Sequence, residues 1–308
     1  MPRILTITLN PTVDFASDAH IVRPTRKIRT SPVATYPGGG GVNVARVIRA
    51  LGGETEAVIL AGGEIGTLLK RLLEERGVPS HRIDIEGQTR IGFDVKETYT
   101  GLEYRFVPEG PEVTDAELQA VLDHVVADDS AWVVASGSLP AGAPRDFYAR
   151  IAEAAEARGA RFVLDSSGPG LAATLEAADV YLAKPNLREL GELVGRELTS
   201  DEAGAAAAEL VRHHNLTYAA ITLGEDGGVL AGPEGVLRLP ALTVRLRSAV
   251  GAGDSFLAAM TWGLSEGRPV EDAFRLGMAA GTAALLTRGT QLCRREDVFA
   301  LYERMAAL

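Results

Sequence analysis

Cysteine is almost absent: Cys293 is the single one among 308 residues. Disulfide frameworks, iron–sulfur clusters and cysteine-rich zinc sites are thereby excluded, and a reducing compartment suits the chain. Basic residues are in the minority, 31 Lys and Arg against 41 Asp and Glu, which gives a formal net charge of −10 at pH 7. That balance argues against nucleic acid or an anionic membrane surface as the main partner. Long apolar runs are missing as well; none approaches the roughly 20 residues that a membrane-spanning helix needs. The opening stretch, MPRILTITLNPTVDF, has no basic region leading into an apolar run and a cleavage site. No secretory signal is expected, and the expected location is the cytoplasm.

What is present is apolar substance in short pieces. With 46% hydrophobic and 23% charged residues, the chain can bury a full core in one or two domains. The runs RILTITL, EAVILAG, AWVVASG, RFVLDSS, VYLAKPN and YAAITLG read as buried strands. Between them VNVARVIRAL, IGTLLKRLLEE, DAELQAVLDHVV, RDFYARIAEAAEA and AGAAAAELVRHH have helical period with one apolar face. Strands alternating with helices predict a doubly wound α/β fold with a mostly parallel sheet and helices on both faces. The last quarter reads as mainly helical. Two stretches break the rhythm: residues 15–37 and 88–108 alternate with period two, as in RIGFDVKETYTGLEYRFV. They predict a small antiparallel sheet set apart from the main domain (1–14, 38–87 and 109–308). Such a sheet cannot bury both faces alone, so it is expected to cover a site as a lid, clasp a second subunit, or both.

Two glycine-rich stretches lie at opposite ends of the chain. PGGGGVNVARV lacks the Lys-Ser/Thr of a P-loop and the third glycine of a dinucleotide fingerprint. Four glycines opening a helix allow close backbone approach to a ligand, and Asn43 offers a donor and an acceptor to hydroxyls. The second stretch, SAVGAGDSF, places Gly251, Ala252 and Gly253 where the free amides of a helix start form an anion hole. Asp254 stands beside it, either as a proton acceptor or as an ordinary helix cap.

Other residues are candidates by position. Asp14 follows the first strand, where ligands collect in doubly wound folds. In AKPNLREL, Asn186 and Glu189 are three apart on one helical face, either a cap or oxygen ligands for a hydrated Mg²⁺. TLGEDGG, from Thr222 to Gly228, supplies a turn after a strand where a nucleotide can lie. Arg23, Arg26, Lys27 and Arg29 cluster in one expected sheet segment and Arg90 begins another. They are either a charge-defended edge or groups for an anionic substrate.

Taken together, GGGGVNVA, SGSLP (136–140), DSSG (165–168), KPNLREL (184–190) and VGAGDSF resemble, in that order, the pfkB branch of the ribokinase-like sugar kinases. The resemblance spans essentially the whole chain and implies a ribokinase-like fold with a β-sheet lid. SGSLP, DSSG and KPNLREL resemble members acting on hexose phosphates, and GGGGVN, EYRFV and GTQLC lean among these towards the 6-phosphofructokinases. The implied reaction is ATP-dependent phosphorylation of fructose 6-phosphate at its C1 hydroxyl. Tagatose-6-phosphate kinase, 1-phosphofructokinase and a non-catalytic sugar-phosphate sensor are the alternatives. By resemblance, Asp254 is the base and the amides of Gly251, Ala252 and Gly253 steady the transferring phosphoryl group. Asp14, Gly39, Gly40 and Asn43 hold the sugar, and Lys27, Arg29, Arg90 and Ser138 its phosphate. Lys184, Asn186, Thr222, Gly224, Gly227 and Thr282 line the ATP site, and Glu189 organises Mg²⁺ through water. Ser248, Val250, Ala284 and Gly289 match a K⁺ site. A homodimer through the lid is also implied.

Overall fold

A computed structural model describes residues 2–307. The chain opens with β1 (Ile4–Thr8), β2 (Thr12–Ala19), β3 (Ala34–Gly38), α1 (Gly40–Leu51), β4 (Thr55–Ala61), α2 (Gly63–Glu74) and β5 (Ser80–Asp84). There follow β6 (Arg90–Glu97), β7 (Glu103–Phe106), α3 (Asp115–Ala127), β8 (Trp132–Ser136), α4 (Phe147–Glu156), β9 (Arg161–Asp165) and α5 (Gly168–Ala177). Next come β10 (Val180–Ala183), α6 (Leu187–Val194), α7 (Ala203–His213), β11 (Leu216–Thr222), β12 (Gly228–Gly232) and β13 (Gly235–Leu239). Three helices close the chain: α8 (Ala252–Ser265), α9 (Val270–Ala284) and α10 (Arg295–Ala306).

The large sheet has nine strands in the order β13-β12-β11-β10-β9-β8-β1-β4-β5. It is parallel from β5 to β11 and antiparallel only at β11–β12–β13. Period two drives its layering. Along β4, Val58 and Leu60 enter one core with Val121 of α3, whereas Ala57, Ile59 and Ala61 enter another with Leu69 of α2. A third core joins α1 with α8, α9 and α10. Helix α8 is buried on every side from Ser255 to Ser265, as a helix apolar all round must be. That burial fixes where its first turn stands.

The small sheet has the order β3-β2-β6-β7. Its outer pairs β2–β3 and β6–β7 are antiparallel, and the central pair β2–β6 runs parallel. Residues 20–33, expected to carry a strand, form a loop with only an isolated bridge between Ala19 and Thr30. Pro24 and Pro32 withhold ladder donors and Thr25 sits at φ +62°, so the alternation there has no strand to support. Strands β5, β12 and β13 and helix α5 were not legible, being short; β12, β13 and α5 also begin on glycine.

Candidate active site

The site grows from the two glycine-rich stretches, which the fold brings together. Gly39 caps α1 at φ +111° and Gly251 caps α8 at φ +74°, a backbone region where a side chain is strained. Asn43, in the second turn of α1, donates from Nδ2 to Asp254 Oδ2 at 2.8 Å. The amide is held the right way round because Arg46, one turn further on, donates to Asn43 Oδ1 at 2.9 Å. Arg46 is itself anchored on the carbonyls of Pro37 and Thr290, each at 2.9 Å. Burial and the neighbouring Arg76 pull its pKa down to about 10, so the guanidinium stays charged at neutral pH.

Asp254 is pushed above the ordinary carboxylate pKa by burial, while the Asn43 hydrogen bond and the charges of Lys184, Arg105 and Arg46 oppose that rise. Beneath it, Lys184 Nζ lies 3.2 Å from Asp165 Oδ1. Burial pulls the Lys184 pKa down, but Asp165, Asp254 and Glu189 outweigh it and leave a net rise. Burial raises Asp165, with Lys184 opposing and Asp254 adding to the shift.

The first turn of α8 is a wall between two cavities. The smaller, about 280 Å³, is lined by Asp14, Gly39, Gly40, Asn43, Arg90 and Ser138 together with Gly251 and Asp254. Asp14 projects from β2 between Gly38 and Gly92; a Cβ there would fall 2.2 Å from Oδ2 and 2.6 Å from Oδ1 respectively. Those glycines exist to leave room for the carboxylate. Burial and Asp94 raise the Asp14 pKa, against Arg105, Thr12 and Arg46. Arg90 donates to the carbonyls of Pro108 and Asn10 at 3.0 and 2.7 Å. The larger cavity, about 950 Å³, is lined by Asn186, Thr222, Gly224, Gly227, Ala252, Gly253 and Thr282, with apolar walls that include Leu242, Val244 and Met278.

Several expected residues stand elsewhere. Lys27 and Arg29 are exposed on the 20–33 loop and line neither cavity, because that loop is not a strand under which a ligand can lie. Lys184 is withdrawn behind the α8 start; a Cβ on Gly253 would lie 3.3 Å from its Nζ. Asn186 and Glu189 form a capping box on α6, each accepting the other's backbone N–H at 2.9 Å. The cap straddles the wall, with Asn186 on the larger cavity and Glu189 on the smaller. Ser248 donates to Glu103 at 3.0 Å and accepts from the Val250 N–H at 3.2 Å. Val250 and Gly289 face a third cavity of about 170 Å³ under the small sheet, whereas the Ala284 carbonyl accepts both the N–H and the hydroxyl of Thr287. Arg105, Asp165 and Arg46 were not singled out from sequence. Arg105 lines the smaller cavity and pairs with Asp94 at 2.8 Å, a cross-strand meeting that only the β6–β7 register reveals.

A buried carboxylate at a helix start, with a polar hollow on one side and an apolar-walled hollow on the other, suits a group-transfer enzyme for two small molecules. The chain belongs to the pfkB family of carbohydrate kinases, whose profile matches residues 6–297. It is 43% identical over 308 residues to the ATP-dependent 6-phosphofructokinase isozyme 2 of Mycobacterium tuberculosis, covering 99% of this chain and 90% of that one. It also resembles crystal structures of phosphofructokinase-2 from Escherichia coli. The complex with potassium aligns at a TM-score of 0.95 and 37% identity, over 99% of this chain and 100% of that one. The complex with fructose 6-phosphate aligns at 0.94 and 36%, with the same coverage.

Proposed function

We propose that this carbohydrate kinase transfers the γ-phosphoryl group of ATP to the C1 hydroxyl of fructose 6-phosphate, giving fructose 1,6-bisphosphate and ADP. The observation that carries the reading is the 2.8 Å contact between Asn43 and Asp254 at the wall between the cavities. Sugar in the smaller cavity and nucleotide in the larger meet only there. Asp14, Gly39, Gly40 and Asn43 hold the sugar. The 6-phosphate is taken by Arg90, Arg105 and Ser138, which line the smaller cavity; Lys27 and Arg29 stand outside it within one chain. Thr222, Gly224, Gly227, Thr282 and Asn186 receive the nucleotide, its base lying against the apolar wall. Asp254 takes the C1 proton as phosphorus arrives, so it need not be a strong base beforehand. The amides of Gly251, Ala252 and Gly253 face the charge on the moving phosphoryl group.

The donor set fits Mg²⁺. Glu189 has one carboxylate oxygen committed to the Asn186 N–H and the other 3.8 Å from the Arg188 guanidinium, outside hydrogen-bond distance and able to take a water of the ion, and Asp165 and Asp254 add negative charge around Lys184. When bound, Mg²⁺ neutralises phosphate charge and orients the phosphates. Ser248, Val250 and Gly289, with Glu103 beside Ser248, are the proposed K⁺ site, in keeping with the potassium complex of the E. coli enzyme. No helix among the described residues is long and apolar enough to cross a membrane; the proposed location is the cytoplasm. The sheet of residues 12–38 and 90–106 is the proposed lid and dimer clasp, since the apolar side chains of Phe93, Phe106 and Val107 are exposed on it or beside it.

A coupled ADP-release assay over fructose 6-phosphate, fructose 1-phosphate and tagatose 6-phosphate tests the substrate. The highest kcat/KM is expected on fructose 6-phosphate. A preference for fructose 1-phosphate would overturn the assignment and leave the kinase chemistry intact. A sensor without turnover has no support in the geometry, because base, orienting amide and helix start are all in place.

A further inference from the structure

At the other end of the large sheet, far along the strands from Asp254, three side chains converge that the kinase reaction does not use. Glu56 is the second residue of β4 and His81 the second of β5. The pairing Val58↔His81 puts Glu56, Val58 and His81 on one face, since residues two apart share a face. Helix α3 packs on that face through Val121 and Val125, in one core with Val58. His124, between those two valines, is thereby brought against His81, with ring centroids 4.1 Å apart and nearly parallel planes. One ligand atom from each of Glu56, His81 and His124 lies within 4.8 Å of the other two. Among the described residues no other group of three His, Cys, Asp or Glu side chains converges in this way.

The geometry points to a divalent transition-metal site here, of the kind zinc occupies, with Glu56, His81 and His124 as ligands and water completing the shell. Two imidazoles and a carboxylate are a donor set that zinc takes readily, and one that hard cations such as Mg²⁺ do not favour. The atoms are also available. His124 Nε2 is buried without a hydrogen-bond partner, a state that costs stability unless something fills it. His81 is exposed, so its ring can turn to present a nitrogen. The Glu56 carboxylate meets Arg3 at 3.4 Å through Oε2. The Arg3 guanidinium is held more closely by Asp128 and by Asp129, leaving Glu56 Oε1 free. A metal at this point would tie edge strand β5 to β4 and to the last turn of α3.

The test is metal uptake, read separately from kinase activity. Chelator-stripped protein titrated with Zn²⁺ in excess Mg²⁺ should bind one equivalent per chain, measured by competition with a chromophoric chelator. Co²⁺ in its place should give the visible absorption of a low-symmetry nitrogen–oxygen site. H81Q and H124Q should each weaken uptake at least roughly 100-fold, more than the loss of a supporting group does, and remove the Co²⁺ spectrum. Both variants should keep wild-type kinase turnover, which serves as the check that they fold. E56Q should weaken uptake likewise if either histidine variant is unstable. Absence of a bound equivalent in the wild type, or uptake that the three substitutions leave unchanged, would overturn the assignment.

Discussion

Replacing Asp254 by Asn separates the chemistry from the scaffold, because the structure predicts opposite effects on the two. The substitution is isosteric. Its Oδ1 can still accept the Asn43 amide N–H that now reaches Asp254 at 2.8 Å, and Lys184 keeps its 3.2 Å partner Asp165. What disappears is the proton acceptor, a contribution of roughly 100- to 10,000-fold in turnover, or about 2.7–5.4 kcal/mol of barrier. Stability should move the other way or not at all. The folded-state pKa of Asp254 is raised above the ordinary 3.8, chiefly by burial. A raised carboxylate favours folding below the unfolded pKa, and that advantage is lost as pH rises through the folded pKa. Above its folded-state pKa the wild type holds an ionised carboxylate in an unfavourable place, and D254N relieves it there. Turnover by coupled assay and Tm by calorimetry read the two halves. Turnover within tenfold of wild type would refute the role of the base. A Tm lower by more than about 4 °C, near 1 kcal/mol or more for a chain of this size, would refute the account of burial. The same shift places the acid limb of kcat/KM above the ordinary carboxylate range, and D254N should remove that limb.

Three further outcomes test the surroundings. R105Q removes a charge from the smaller cavity and should raise KM for the sugar phosphate about 10- to 100-fold, the worth of a charge-assisted hydrogen bond. KM for ATP should stay unchanged, and steady-state kinetics with each substrate varied decides it. G38A puts a Cβ 2.2 Å from Asp14 Oδ2 and must displace that carboxylate; sugar KM should rise at least about tenfold, again the worth of one charged hydrogen bond, and an unchanged KM would show that Asp14 does not touch the sugar. F93D places a charge on the exposed face of the small sheet, where Phe93 is 45% exposed. Sedimentation velocity should show a dimeric wild type and a monomeric variant; a monomeric wild type at micromolar concentration would remove the clasp.

The parts of the fold that were legible are those where one local rule decides the outcome. Strand β1 is five consecutive buried residues, and α1 presents Val44, Val47, Ile48 and Leu51 on one face; period alone identifies both. The glycine stretches were legible because glycine is the residue that takes the φ of Gly39 and Gly251 without strain. The small sheet was legible as alternation, but its parallel β2–β6 pairing joins strands far apart in the chain, and nothing local records it. The basic loop at 20–33 misled for the opposite reason. A cluster of arginines reads the same on a strand under a ligand as on a turn in water, and Pro24, Thr25 and Pro32 decided for the turn.

The least legible residue is the one on which the site's geometry leans most. Arg46 sits in a helix whose pattern needs nothing polar there, and read alone it is a solvated charge. In the fold it gives one N–H to Asn43 Oδ1, another to Pro37 and a third to Thr290. Its contacts tie the helix start, the strand before it and the turn before α10 to one planar group. The consequence for Asn43 is a choice of face. An asparagine amide has two nearly isosteric ends, and only the donor end can steady an ionised Asp254. Arg46, with no acceptor of its own, can bond only the oxygen end, so the donor end is left for Asp254. Lysine at 46 would keep the charge but not the fork that reaches three acceptors at once. Asp254, the proposed base, is thus presented as an acceptor by a residue two contacts away, and that ordering belongs to the packing of α1 on α8, not to any motif.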